Sequence, residues 1–373
     1  MPKVSLLVAV YNAADTLPRC LDSLLAQTLP DIQIVCIDDA STDDSPAILA
    51  RYAAADSRIN VLRLPENSEQ AHARNCGLPL AEGDFIGMVD ADDWLAPDAL
   101  QQAWQVLTEH PETDAVLFDL IRVWPDGREE DYWSASQQVN KSTSQQVNKS
   151  TGQQDNKTTG SFADRTQRVD LLTCGPVDLL TFGLADAPCW NGFEAMRLSL
   201  RWKIHGLYLV RADIHRAYPY DETARLYSDD NTTRLHYLHS REVRPSAGRY
   251  YYFQNPCSTT QRVSLLYFEN LRAQHHMSQM LHDEGIPADI IADYEQYRWL
   301  GLVDCCYYYF RYRKAFTPAE RRIARNAIAD AYATFPPGFN SPRKFGYSQC
   351  RTFRSFWLQE SLYFALRRLA GRM

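Results

Sequence analysis

Val4 to Val10 is an apolar run rich in β-branched residues, which predicts a strand covered on both faces, as in a parallel sheet. Leu17, Cys20, Leu21, Leu24 and Leu25 then recur at helical spacing and mark one apolar face. The alternation continues. Ile32 to Ile37 predicts a second strand and Pro46 to Ala55 a helix with proline in its first turn. Ile59 to Leu64, Phe85 to Val89 and Ala115 to Leu120 predict three more strands, with helices over Ser68 to Ala81 and Pro97 to Glu109 between them. Strands alternating with helices imply an α/β fold, a Rossmann-like, mostly parallel twisted sheet with flanking helices joined by right-handed crossovers.

The pattern breaks at residues 136–159, which hold three copies of an eight-residue unit: SQQVNKST, SQQVNKST and GQQDNKTT. This polar stretch has too little apolar surface to offset its ordering entropy, so a disordered loop insertion over 126–165 is expected. Asn140, Asn148 and Asn156 each begin an N-x-S/T triplet, read here as accidents of the repeat. Beyond it, residues 166–262 mix short apolar runs with aromatics, and 263–373 reads as a helical C-terminal region. Its last helix, Phe353 to Arg372, sets Leu358, Leu362, Leu366 and Leu369 on one face among Arg354, Arg367, Arg368 and Arg372. The segments 1–125, 126–165, 166–262 and 263–373 are the expected divisions of the chain.

The net charge of −7 argues against a nucleic-acid partner. That figure hides an asymmetry. Residues 341–373 hold seven Arg or Lys and one Glu, a balance of +6, which leaves −13 for the rest. A basic amphipathic tail of this kind reads as an element for an anionic membrane surface. A helix packed on the domain, or a contact in an oligomer, is the alternative. The nine cysteines form no CxxC pair, and the N-terminal residues lack a signal-peptide layout. No apolar run approaches membrane-spanning length. A cytoplasmic protein, peripheral on the cytoplasmic membrane face where the tail binds lipid, is the expectation. The 21 Tyr and 8 Trp suit sugar-facing surfaces, since a flat apolar face with a polar tip matches a pyranose.

In an open parallel sheet, ligands bind beyond the carboxyl ends of the strands. The first strand ends in Tyr11-Asn12, the second in Asp38-Asp39, and the fourth in Asp90-Ala91-Asp92-Asp93. These tips converge on one edge. Carboxylates spaced by one residue suit a ribose hydroxyl and a hard cation such as Mn²⁺ or Mg²⁺, which shares its oxygen ligands with substrate phosphates. Asp38 or Asp39 at a strand tip can accept from a nucleobase N–H, and Tyr11 can flank the base. Arg74 can reach a phosphate or one of the carboxylates. A dinucleotide-dependent oxidoreductase would need a glycine-rich turn after the first strand; Tyr11-Asn12-Ala13-Ala14 stands there instead.

Five motifs follow in order: Val8-Ala9-Val10-Tyr11-Asn12, Ile37-Asp38-Asp39-Ala40-Ser41-Thr42-Asp43, Ala73-Arg74-Asn75-Cys76-Gly77-Leu78, Gly83-Asp84-Phe85-Ile86 and Val89-Asp90-Ala91-Asp92-Asp93-Trp94-Leu95. Together they resemble glycosyltransferase family 2, an inverting group with the GT-A fold, of the kind that builds bacterial surface polysaccharides. The resemblance covers about residues 3–110. It implies a nucleotide-sugar donor, with a UDP-sugar first in line, and a saccharide or lipid-linked saccharide acceptor. It also implies donor contacts from Tyr11, Asn12, Asp38, Asp39, Arg74 and Asp90, and metal ligation by Asp92 with Asp93 beside it. Ala40 stands where the family often has Gly, which strains the turn if its φ is positive.

An inverting transfer also needs a base for the acceptor hydroxyl. Within the resemblance, Tyr227-Ser228-Asp229-Asp230-Asn231 matches the family's acidic pair, with Asp230 in the position of the base and Asp229 beside it. Further on, Tyr250 to Thr260 resembles an aromatic strand and a serine loop. Ser258 stands there as a diphosphate contact, and Phe253 occupies a position where Arg is frequent. Arg262 or Arg249 would have to supply the lost charge. The alternative reading is a catalytically weak or inactive saccharide-binding homologue.

Overall fold

The computed structural model describes residues 2–131, 189–227, 229–256, 262–337, 339 and 352–369. The repeat at 136–159 and Ser258 lie outside these residues. The first half follows the predicted alternation: β1 (Val4–Val10), α1 (Leu17–Leu25), β2 (Ile32–Asp38), α2 (Ser45–Ala55), β3 (Ile59–Arg63), α3 (Gln70–Gly77), β4 (Phe85–Met88), β5 (Trp94–Leu95), α4 (Ala99–Glu109) and β6 (Thr113–Val123). Helix α3 is shorter than its periodicity predicts. Glu69 enters it with φ at 75°, outside helical space, and Pro79 lacks the N–H needed to continue beyond a single 3-10 turn at Leu78–Leu80. Residues 126–131, expected within the insertion, instead turn into β7 (Glu129–Asp131), which pairs with β6.

The second half adds β8 (Trp190–Asn191), α5 (Gly192–Ser199), β9 (Tyr208–Arg211), α6 (Ala212–Ala217), α7 (Asp229–Leu238) and β10 (Glu242–Phe253). The helices α8 (Glu269–Asp283), α9 (Ala288–Tyr312), α10 (Pro318–Ala333) and α11 (Phe353–Leu369) complete the described chain. The sheet order is β3-β2-β1-β4-β9-β6-β10-β5. Strands β3, β2, β1 and β4 are mutually parallel, as are β6 and β10. Strand β9 enters antiparallel between β4 and β6, so the sheet is mixed at its centre. A register shift between Pro245 and Arg249 lets β10 bend past α4. Gly248 sits in that bend, where a Cβ would come within 2.3 Å of the Ala99 carbonyl oxygen. The close approach delivers the end of β10 to the tip of β4.

Leu17, Leu21 and Leu24 of α1 pack with Leu100 and Ala103 of α4 on one side of the parallel strands. Ala73, Leu78 and Tyr220 cover the other side. A second core joins α5 and α7 to α8 through Met196, Tyr237 and Met277, and an aromatic core gathers Trp299, Phe310, Phe356 and Phe364 among the C-terminal helices. Helix α9 enters both: Ile291 and Tyr294 lie in the former, Trp299 to Phe310 in the latter. Its 25 residues span about 37 Å at the usual helical rise.

Two buried histidines make stability depend on pH. Burial pushes His205 and His236 down from 6.5 to about 4 each, although a backbone hydrogen bond opposes the shift in both cases. In the unfolded chain both would protonate near 6.5. At these two groups unfolding takes up protons between these values, so their contribution to stability falls as pH drops from about 6.5 toward 4, by roughly 1 kcal/mol per unit per histidine, while Asp119, raised by burial to about 6, and the buried Asp93 work in the opposite direction. Urea titrations of the wild type and of a His236→Gln variant at pH 7, 6 and 5 are expected to show the histidine contribution as a difference in slope. The substitution is expected to flatten the slope, since glutamine cannot take up the proton.

Candidate active site

Five non-glycine residues among those described hold positive φ: Asn12 (49°), Ala40 (57°), Glu69 (75°), Trp202 (55°) and Tyr227 (71°). Asn12 and Ala40 cap the tips of β1 and β2, Glu69 opens α3, and Tyr227 stands two residues before Asp229. Left-handed backbone of this kind is costly and persists where neighbours over-determine it. Those neighbours are on view. Asn12 Oδ1 accepts from the Thr42 N–H at 2.8 Å, and the Asn12 N–H donates to Ser41 Oγ at 3.0 Å, so the tips of β1 and β2 are locked together. Ala40 adopts a positive φ, 57°, so its turn carries the strain that a glycine there would spare. Tyr11 is left 51% exposed at the rim.

The adjacent aspartates at the end of β2 do different things. Asp38, read from sequence as a donor contact, is turned inward and buried. Its Oδ1 accepts from the Ser41 N–H at 3.0 Å and its Oδ2 lies 3.3 Å from Arg63 Nε. Asp39 holds the entrance of α3: Oδ1 accepts from the Ser68 N–H and hydroxyl at 2.7 and 2.8 Å, and Oδ2 from the Glu69 N–H at 3.0 Å. These bonds account for the strained φ of Glu69.

Helix α3 carries Arg74 to the next tip. Its guanidinium is buried, donates to Asp90 Oδ1 at 2.5 Å and lies 5.3 Å from the Tyr220 ring centre. Burial weakens this cation, but Asp90, followed by Tyr220 and Asp229, more than restores it, and its pKa ends above the ordinary value. Gln70 Nε2 donates to the same Asp90 oxygen at 2.8 Å. The next residue of α3, Asn75, exchanges two hydrogen bonds with the backbone of Tyr220 and donates to Glu222 at 2.6 Å. One helix therefore positions both the acid at the end of β4 and the loop leading to Asp229.

Asp92 and Asp93 also separate. Asp93, expected beside Asp92 as a metal ligand, is fully buried. Its oxygens accept from the Tyr250 hydroxyl and the Phe253 N–H, both at 2.8 Å, so it anchors β10 and does not face the rim. Burial pushes its carboxyl well up, and Asp90 and Asp92 add to that. The same Tyr250 hydroxyl accepts from the Asp90 N–H at 3.2 Å. Asp92 is partly exposed and takes one hydrogen bond on Oδ2, from Asn255 Nδ2 at 3.1 Å. Burial and then Asp90 raise its pKa, against Asn255 and Arg19.

Arg19 of α1 was not singled out from sequence. One of its amino groups donates to the Asp92 carbonyl at 2.7 Å, and its guanidinium lies 3.9 Å from the Trp94 ring centre and 4.6 Å from that of Phe253. The phenylalanine that replaces a frequent arginine thus supports an arginine from elsewhere. No signal in a single sequence marks it, because the three residues are far apart along the chain. Arg249, the expected substitute, faces Asp119 instead, 3.7 Å away, and Arg262 is exposed.

Asp229 and Asp230 open α7 with their carboxylates in different fields. Burial raises Asp229, Arg74 opposes this, and Asp90 adds to it, which places Asp229 electrostatically within the Arg74–Asp90 cluster. Asp230 acts instead on Tyr294 and Tyr297 of α9, as does Arg234. Arg234 lies 6.0 Å from the ring centre of the partly exposed Trp202.

Among the described residues no group of three or more His, Cys, Asp or Glu converges as a self-sufficient metal site. Asp92 does fit a shared one. It offers a hard oxygen donor at the rim, and Mg²⁺ or Mn²⁺ usually takes one or two carboxylates together with substrate phosphates and water.

Residues 5–168 match the family model described as Glycosyl transferase family 2. A parallel-dominated sheet with acidic strand tips and a helical C-terminal region is the fold this chain shares with GT-A glycosyltransferases, and the stretch that matches the family model is just under half of the chain. Poly(ribitol-phosphate) beta-glucosyltransferase of Bacillus spizizenii is 37% identical over 118 residues, 31% of this chain and 18% of that protein. Succinoglycan biosynthesis protein ExoO of Rhizobium meliloti is 39% identical over 102 residues, 27% of this chain and 29% of that one. The chain thus spans less than a third of the length of these relatives. The crystal structure of S. aureus TarS 1–349 in complex with UDP-GlcNAc has a TM-score of 0.55 and 18% identity, covering 90% of this chain and 82% of that one.

Proposed function

We propose that this protein transfers a sugar from a nucleotide-diphosphate donor, a UDP-sugar in the first instance, to a saccharide or lipid-linked saccharide hydroxyl, with inversion, in bacterial surface polysaccharide synthesis. The observation that carries the reading is the Arg74–Asp90 ion pair, which joins α3 to the end of β4, lies in the field of Asp229 and stands two residues from the partly exposed Asp92. Residues 1–125 hold the donor and 166–262 supply the acceptor side. Tyr11 flanks the base and Asp39 accepts from it once residues 67–69 give way. Asp90, steadied by Arg74, accepts from the ribose.

A Mn²⁺ or Mg²⁺ ion held by Asp92 supplies charge neutralisation of the leaving diphosphate. Asp230 takes the proton of the acceptor hydroxyl as that oxygen bonds to the anomeric carbon and the carbon–oxygen bond to the diphosphate breaks. Trp202 offers the acceptor a flat face. The lipid-linked acceptor is met at the cytoplasmic membrane face.

Arg19 supplies positive charge beside Asp92 in place of an arginine at position 253. Arg19→Ala is expected to raise the donor KM by roughly tenfold, the scale of one charge-assisted hydrogen bond, with a smaller change in kcat. An unchanged KM would return that role to another cation.

Thermal stabilisation by a panel of UDP-, GDP- and dTDP-sugars, each with and without Mn²⁺, tests the whole reading. One donor is expected to stabilise the protein in a metal-dependent way and to be hydrolysed slowly without acceptor. Stabilisation without any hydrolysis or transfer would favour the inactive saccharide-binding homologue, and no stabilisation by any donor would sink both.

A further inference from the structure

We propose that the outer face of α11 is a docking surface for a membrane of anionic phospholipid. The helix packs by its aromatic side: Phe356 and Phe364 are buried in the C-terminal core, and Glu360 between them is fully covered. Its leucines point the other way. Leu358, Leu362, Leu366 and Leu369 are 58% to 85% exposed and form one ridge about three turns long. Exposed leucines occurring singly are ordinary on protein surfaces; an aligned row of four is not.

The charge beside the ridge identifies the occupant. Arg354 and Arg368 stand exposed at its two ends, Arg368 also donating to the Phe310 carbonyl at 2.9 Å, while Arg367 lies on the packed side, 5.7 Å from the Tyr307 ring centre. Helix α10 adds the exposed Arg325, whose guanidinium lies 5.3 Å from the ring centre of Trp357, a half-buried residue on the packed side of α11. Arg321, Arg322 and Arg325 line one depression together with Phe353 of α11. The single acid of α11 is the covered Glu360, so no carboxylate of this helix answers those cations. A second copy of the chain seated on the ridge would set arginine against arginine. An anionic bilayer meets both demands, taking leucine side chains at the acyl boundary and guanidinium groups among the phosphates. No helix among the described residues is long and apolar enough to cross a membrane, so this surface would lie on the bilayer.

The proposal goes beyond sugar transfer and stands or falls without it. The test is flotation of the full chain with vesicles of phosphatidylcholine alone or with about one-third phosphatidylglycerol. Binding to the anionic vesicles only is expected, and salt at about 0.5 M should release most of it. The variant L358E/L366E should bind at least about tenfold less, and R354E/R325E should also weaken binding. Both pairs alter exposed positions, so an unchanged melting temperature is the control for folding. Equal binding to neutral vesicles, no loss in the leucine variant, or no binding at all would overturn the proposal. So would a wild-type dimer that the leucine variant dissociates while vesicles are ignored. Nucleotide-sugar hydrolysis measured without vesicles is expected to be the same in all variants, which separates this surface from the reaction at the sheet edge.

Discussion

Asp92→Asn is expected to lower kcat/KM for sugar transfer by about a hundred- to a thousandfold, with the loss not recovered at saturating Mn²⁺. The available oxygen donors decide this. Asp93 spends both oxygens on Tyr250 and Phe253, and Asp90 Oδ1 already serves Arg74 and Gln70. Asp92 is left as the carboxylate with free capacity at the rim, holding a single bond to Asn255. An asparagine keeps the shape and one oxygen but removes the charge that a hard cation requires. Loss of one preorganised charge at a leaving group commonly costs roughly 3 to 4 kcal/mol of barrier. Initial rates against Mn²⁺ concentration give the measurement. The matching change at Asp93 should instead lower the melting temperature, because it disturbs the anchor of β10. Full activity in Asp92→Asn would remove the metal role from this turn.

The second large effect belongs to α7. Asp230→Asn is expected to reduce kcat by about a hundred- to ten-thousandfold, the usual worth of a positioned base, while leaving the donor KM and metal dependence near wild type. Asp229→Asn should behave differently. Asp229 shares its field with Arg74 and Asp90, so its loss is expected to weaken donor binding as well as turnover. Steady-state kinetics in both substrates separate the two. If donor binding fails in Asp230→Asn and survives in Asp229→Asn, the assignment of the base is reversed.

The elements of the first half were legible because their signals are local. Val4–Val10, Leu17–Leu25 and Ile32–Asp38 announce themselves by periodicity, and right-handed crossovers then leave little choice of order. What each tip residue does was less legible. Asp38 and Asp39 are neighbours of one chemistry, both buried, and only the turn at Ala40 and the loop at Ser68 decide which partners each carboxylate holds. The burial of Asp93 depends on Tyr250, which a register shift in β10 brings from 157 residues away. The antiparallel insertion of β9 likewise follows from long-range pairing that no window of sequence displays. In α11 both faces are apolar, and the pattern alone does not reveal that aromatics turn inward and leucines outward.

Helix α9 carries one further implication. Because its first half belongs to the core beneath α7 and its second half to the aromatic core, no cut along it leaves two finished pieces. A shortened gene ending before Ala288 would strip Ile291 and Tyr294 from beneath the very helix that begins with the acidic pair. The C-terminal helices are therefore a keel and not a detachable appendage. Melting is expected to be shared across both halves of the molecule, with the sheet edge losing its shape when the keel does.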